Sequence, residues 1–326
     1  MNFRTDLALE RKEMVETDLS GIVVNETENE ECKITKIEII NQEAARKLGK
    51  GIGTYITIEM NNFSDEATVS KGRLKAITRS LKELLPHKNG TAVVVGVGNR
   101  DMTSDALGPE TADKILATRH IDEEMKKAIG LSAELKSVAA FSTGVLGQTG
   151  IESSEYIKSV CDTIKPDYVI TIDALAAGSV SRLGRTVQMS DTGIAPGSGI
   201  GNTRKRIDES YLGVPVIAIG IPTVVDAISL ACEISGVDVE TLNEDVAGKI
   251  NGLVVAPKDI DMLVKNKDIA LSKEQIFESV WGSDYGDIGT IAVNIKNLRD
   301  KLDKDAKYII TIWGYGYKFV NGETNV

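Results

Sequence analysis

Three short apolar runs constrain this chain more than any other feature: Ala92–Val97, Val169–Ile172 and Val216–Ile219. A half-exposed strand alternates apolar and polar residues, whereas a nearly unbroken run reads as a strand buried on both faces, with helices packed above and below. Helical stretches near Glu110–Thr118, Ser153–Ile164 and Val225–Ile234 lie between or after these runs. The pattern predicts an α/β fold with a doubly wound, mostly parallel sheet. In such a sheet the loops at the carboxyl ends of the strands converge on one crevice. The segments Gly96–Gly108, Phe141–Gly150, Asp173–Gly178 and Gly220–Thr223 are therefore expected to be neighbours.

An amino-terminal α+β extension precedes this region. Residues 1 to about 31 are polar, and residues 32–60 read as a strand, a short helix at Glu43–Leu48 and a strand at Thr54–Glu59, joined through Gly49, Gly51 and Gly53. A helix follows over Thr68–Leu85, with Leu74, Ile77, Leu81 and Leu84 on one face and Pro86 closing it. The texture changes again after Val264, where Lys265-Asn-Lys-Asp268 forms a charged link. Beyond it Trp281, Tyr285, Tyr308, Trp313, Tyr315, Tyr317 and Phe319 crowd into a short tail. The predicted division is residues 1–265 and 266–326.

Composition excludes several function classes. The chain of 326 residues has no run of about 18 apolar residues and no charged-then-apolar leader, so the expectation is a soluble, cytoplasmic protein without membrane contact. With 48 acidic and 38 basic residues the net charge of -10 repels nucleic acid. Cys32, Cys161 and Cys232 are far apart and form no C-x-x-C pair, which argues against a disulfide framework and a zinc ribbon. His87 and His120 are the only histidines, too few for a His-rich metal site. No metal and no cofactor are expected.

Carboxylates are left to carry hydrolytic chemistry. Asp105, in Ser104-Asp-Ala-Leu-Gly-Pro109, and Asp173, in Ile170-Thr-Ile-Asp-Ala-Leu175, fall in the crevice loops, Asp173 being placed at the end of its strand. Two such acids form an acid/base pair in which one activates water and the other protonates the leaving amine. The alternative is structural: Asp105 caps the following helix and Asp173 accepts from backbone amides. Three other motifs carry less. Gly96-Val-Gly-Asn99 lacks the third glycine of a dinucleotide loop, and Asp191-Thr-Gly193 copies the tripeptide of pepsin-like proteases only once and in the wrong fold class. Ala195–Gly201, followed by Arg204, Lys205 and Arg206, reads either as an anion cradle or as a mobile loop.

At these residues the chain resembles the germination proteases of spore-forming bacteria, over residues 3–264. The resemblance rests on Arg4-Thr-Asp-Leu-Ala-Leu-Glu10, Ser104–Pro109, Thr118-Arg-His120, Gly147–Glu152, Ile172–Ala177, Ser190–Ile194, Pro196–Gly199 and Val214–Ala227. It implies an atypical aspartic endopeptidase with Asp105 and Asp173 as its essential acids, small acid-soluble spore proteins as substrate, and a spore-core location. It also implies a homo-oligomer and a fold similar to hydrogenase-maturation proteases. Those enzymes carry Gly-x-Gly-Asn before an acid, matched here by Gly96–Asn99, and a metal-dependent protease of that kind is the runner-up function. Family members are zymogens that cut their own leader at a site resembling the substrate's: an acid, a hydrophobic residue, Ala, any residue and Glu. Asp6, Leu7, Ala8, Leu9 and Glu10 match, which implies self-cleavage between Asp6 and Leu7.

The tail resembles the later part of the winged-helix DNA-binding domain of response regulators, through Leu271–Gly282, Thr290–Leu302 and Tyr308–Phe319. In a complete winged helix Lys296, Arg299 and Lys301 would face DNA. From Ser272 onward seven basic residues meet eight acidic ones, so DNA binding by the tail is not expected. An inactive fusion to a DNA-binding tail is the remaining alternative. Ile276, Val280, Ile291, Ile295 and Leu298 are expected to lack partners in such a fragment.

Overall fold

The computed structural model describes residues 5–15, 20–60, 70–86, 90–121, 125, 136–196, 205–235, 254–255, 270–273, 275, 295, 299 and 309–320. The chain divides into two compact units, one of residues 4–224 and one of residues 225–326 with 1–3.

In the first unit, β4 (Ala92–Gly96) is buried along its whole length and lies between β5 (Val138–Ser142) and β6 (Tyr168–Ala177), both parallel to it, with Val93 opposite Ala139 and Val169. The sheet continues from β6 to β8 (Val216–Asp226), where the Val169 amide donates to Pro215 O at 2.9 Å. Direction then reverses. β7 (Thr186–Ser190) runs antiparallel to β8, β3 (Gly53–Met60) to β7, β2 (Cys32–Ile39) to β3 and β1 (Ile22–Glu28) to β2. The order is β1-β2-β3-β7-β8-β6-β4-β5. The fold is thus mixed α/β, and the expectation of a mostly parallel sheet holds for one half only. The amino-terminal strands join the central sheet through β7, a short strand hidden in the sequence between two turns.

Helices cover the sheet where the apolar periodicity demands it. In α3 (Lys71–Leu84), Ser70 accepts from the Arg73 amide at 3.1 Å as an N-cap. Its Ile77, Leu81 and Leu84 pack on Ile56, Ile58, Val187 and Met189. A second core joins Val93, Val95 and Val169 to Ile157 and Cys161 of α6 (Ser153–Ile164), burial pushing the Cys161 thiol up to about 11. A third places Ala8 and Leu9 of α1 (Ala8–Glu13) against Ile37, Ile39, Tyr55 and α2 (Gln42–Leu48).

The helix expected at Glu110–Thr118 is α4 (Leu107–Asp113), starting three residues earlier, and α5 (Leu146–Thr149) and α7 (Glu209–Leu212) are single turns.

The second unit begins as β8 ends. Asp226, expected inside a helix, instead closes the strand and caps α8 (Ala227–Ser235), accepting from the Ile228 and Ser229 amides at 3.0 and 3.2 Å. The last two residues of β8 pair with β9 (Val254–Val255). Further on, β10 (Ala270–Ser272), β12 (Gly316–Phe319) and β11 (Ile309–Ile312) form a three-stranded antiparallel sheet. Ile295 is buried, against the expectation that it lacks partners, while Ile276, Val280, Ile291 and Leu298 lie outside the described residues.

Candidate active site

The crevice is built where β4 and β6 end their pairing. The Val97 amide donates to Ile172 O at 2.8 Å, which carries the ladder one residue past β4 and delivers Asp173 as the next residue of β6. Gly98 turns the chain away at φ 122°, in the left-handed region that only glycine adopts freely. The loop then closes on itself, because the Asp105 carboxylate accepts from the Asn99 amide at 2.7 Å. Gly108 presses the first turn of α4 against the ladder. A Cβ on it would collide with Val97 O and Ile172 O, so glycine at 108 lets the Asp105 loop approach the strand that carries Asp173.

The other two crevice segments, Phe141–Gly150 and Gly220–Thr223, also come beside them, the second as part of strand β8 and not as the expected loop. The Thr143 amide donates to Gly96 O at 3.1 Å, and Gln148 Nε2 reaches Asn99 Oδ1 at 2.7 Å and Asp101 Oδ2 at 2.9 Å. Thr223 Oγ1 donates to Ser104 O at 2.6 Å. Asp105 is half-buried, and Asp173 is buried with Oδ1 accepting from the Ala174 amide at 2.9 Å. In one respect the placement differs from expectation. Asp173 does not end its strand; β6 runs on to Ala177.

Against this stretch of β6 lies the amino-terminal segment. The Asp6 amide donates to Ala176 O at 2.9 Å, and the Ala176 amide donates to Asp6 Oδ2 at 2.9 Å. The carbonyl of Asp6, which belongs to the Asp6–Leu7 bond, accepts from Lys50 Nζ at 2.6 Å and from Gln188 Nε2 at 3.0 Å. Gln188 Oε1 in turn accepts from the Ala8 amide at 2.6 Å. Leu7 and Ala8 are fully buried. Glu10, 2% exposed, accepts from the Gly178 and Ser179 amides at 2.7 and 3.1 Å and from the Thr5 hydroxyl, and lies 3.2 Å from Arg182 Nη1. Arg182 also holds Glu13 and Glu59. Burial is the largest influence on Lys50 and pulls it down to about 8, opposed by the attraction of Asp6 and Glu10 and aided by the repulsion of Arg11 and Arg206. Ala176 is three residues past Asp173, about 10 Å along the strand.

The lesser motifs fall elsewhere. Asp191 Oδ1 accepts from the Thr54 amide at 2.7 Å and closes the β3–β7 ladder, a structural task. Arg206 is bound to Asp208 and to Thr192 O, and Lys205 stacks over the Tyr211 ring at 3.9 Å. The rest of the suggested anion cradle, from Gly197 to Arg204, lies outside the described residues, as does His87; His120 is exposed. Among the described residues no group of three or more His, Cys, Asp or Glu is arranged to hold a metal ion, and no helix is long and apolar enough to cross a membrane. In the tail, Arg299 is turned onto β11 rather than outward. Its guanidinium donates to Ile309 O at 2.9 Å and to Thr311 Oγ1 at 2.8 Å. Lys296 and Lys301 lie outside the described residues. Lys50, Arg182 and Gln188 carry no motif and were not foreseen; their partners stand far away in sequence.

Comparison with known proteins fits this architecture. The family model for germination protease matches residues 4–241, and one described as transcriptional regulatory protein, C terminal, matches residues 260–319. A germination protease of Caldanaerobacter subterraneus subsp. tengcongensis is 40% identical over 302 residues, covering 84% of this chain and 93% of the relative. That of Clostridium perfringens is 37% identical over 321 residues, covering 86% and 98%. Among solved structures, the DNA-binding domain of Bacillus subtilis CssR is 32% identical over 21% of this chain and 83% of that one, with a TM-score of 0.18. By the family match and by these relatives, the chain belongs to the germination protease family, and it is an endopeptidase.

Proposed function

We propose that the enzyme hydrolyses small acid-soluble spore proteins during germination, in the spore core, with Asp105 and Asp173 as its catalytic pair. One carboxylate removes a proton from water as the water oxygen attacks the peptide carbonyl. The other, protonated, delivers a proton to the departing amine as the C–N bond breaks. The observation that carries this reading is the junction at Gly108, where α4 is drawn against Val97 and Ile172 and the Asp105 loop is held beside the strand bearing Asp173. The finer likeness to hydrogenase-maturation proteases belongs to the same proposal. It rests on Gly96-Val-Gly-Asn99 leading from a buried parallel strand to an acid whose carboxylate binds the Asn99 amide.

The chain is further proposed to cut itself between Asp6 and Leu7. That bond is buried and its carbonyl is engaged by Lys50 and Gln188, so processing requires the segment to leave its place on β6. Incubation of purified protein with a small acid-soluble spore protein, with fragments read by mass spectrometry, tests the assignment. The expected cuts follow acidic residues and vanish in Asp105→Asn and Asp173→Asn chains. Fragments unchanged in both variants would refute it.

A further inference from the structure

The way the amino-terminal segment is held goes beyond what packing of a chain end requires. Its apolar residues Leu7, Ala8 and Leu9 are buried, as any docked segment's would be. Its two acids, Asp6 and Glu10, are in addition met one by one. Asp6 offers its carboxylate to the Ala176 amide and its carbonyl to Lys50 and Gln188. Glu10 offers its carboxylate to two consecutive amides, Gly178 and Ser179, beside the Arg182 guanidinium. Charge-assisted bonds from backbone amides and a guanidinium discriminate a carboxylate from its neutral amide analogue. The partners come from the loop before β3, from β6 and the turn after it, and from β7, all more than 40 residues from the segment in sequence. This is how a protein reads a peptide.

We propose that the end of β6 and its following turn, Ala176 to Arg182, together with Lys50 and Gln188, form a docking site for peptides carrying two carboxylates four residues apart. The chain's own residues 5–10 are its resident ligand. Assignment of the substrate as a second ligand rests on the proposed function, since the acid–hydrophobic–Ala–x–Glu segment attributed to the substrate has the same spacing. Contacts advance from Ala176 at Asp6 to Ser179 at Glu10, so the bound segment runs in the direction of β6. Ala176, which holds Asp6, is three residues past Asp173, about 10 Å along the strand.

The test uses the full chain with Asp6→Lys and Glu10→Lys, which set cations against Lys50 and Arg182 and expel the resident segment. A fluorescein-labelled peptide of residues 1–13 is titrated by fluorescence anisotropy. It is expected to bind saturably, and at least tenfold more tightly than the same peptide with Asp6→Asn and Glu10→Gln. Adding Lys50→Met to the protein is expected to reduce that discrimination. Far-UV circular dichroism checks the fold; should the double lysine chain be unfolded, the Asp6→Asn, Glu10→Gln chain serves in its place. Absence of saturable binding to a folded chain, or equal affinity for acid and amide peptides, overturns the proposal. Binding needs no turnover, so the result is independent of whether Asp105 and Asp173 prove catalytic.

Discussion

Replacing Gly108 by Ala tests the link between backbone packing and the proposed catalytic pair. A Cβ at 108 would stand 2.7 Å from Val97 N and closer still to Val97 O and Ile172 O. An ordinary contact to carbon requires about 3.5 Å, so α4 and the β4–β6 ladder must separate by roughly 1 Å. All three obstructing atoms are backbone, and no change of rotamer relieves them. Overpacking of this kind costs about 1–3 kcal/mol. The same displacement acts on the 2.8 Å Val97–Ile172 hydrogen bond and hence on the spacing between Asp105 and Asp173. A misplacement near 1 Å lowers a positioned reaction about 100-fold. Gly108→Ala should therefore lose about 1–3 kcal/mol in urea denaturation and about 100-fold in peptide cleavage. Gly147→Ala is the control, since a Cβ there meets nothing within 4 Å, and both quantities should be unchanged. If Gly108→Ala matched the control to within about 0.5 kcal/mol and retained its activity, the junction would not be what sets the geometry of the acids.

Asp105→Asn and Asp173→Asn should each lower cleavage by about 100-fold or more with unchanged circular dichroism, whereas Asp191→Asn, whose oxygen still accepts from the Thr54 amide, should behave as the parent. Amino-terminal sequencing of the active enzyme should read Leu7 first; persistence of Met1 or Asn2 at full activity would contradict self-processing. Lys50, pulled down to about 8 in the folded chain against an ordinary 10.5, gives the unfolded chain the greater proton uptake between those values. Stability from this group therefore rises with pH between about 8 and 10.5, and the increment should disappear from thermal melts of Lys50→Met. Deleting Ser272–Val326 should leave proteolysis unchanged; a parallel loss of stability and activity would instead make the tail part of the protease body.

What was legible in the sequence is what depends on neighbours along the chain. The Ser153–Ile164 helix is read to the residue because its apolar positions repeat at helical spacing. The buried run at Ala92 locates β4, and from that strand and its parallel partner the meeting of the four segments follows by topology, although those at Asp173 and Gly220 are strand and not loop. β1 escaped because it is an exposed edge strand of mixed polarity, Ile22-Val-Val-Asn-Glu-Thr-Glu28, with no alternation to betray it. The reversal of direction at β7 escaped for another reason: strand direction is set by which neighbour a strand meets, and β7 finds β3 more than 120 residues upstream.

The amino-terminal segment shows why the rest of the site was out of reach. Its sequence announces two acids, and a local reading assigns them to a cleavage motif. The groups that bind them are mostly peptide N–H groups at Ala176, Gly178 and Ser179, which every residue but proline possesses, so no pattern in the sequence marks them. Position alone makes them donors. β6 must continue past Asp173 for Ala176 to be there, and the segment is bonded to it through the Asp6 and Ala176 amides. The strand to which the segment is bonded is the one that bears Asp173. Loss of the segment should therefore be felt along β6 itself, which would tie the proposed processing of the amino terminus to the strand of the proposed catalytic Asp173 by direct hydrogen bonding rather than through a distant relay.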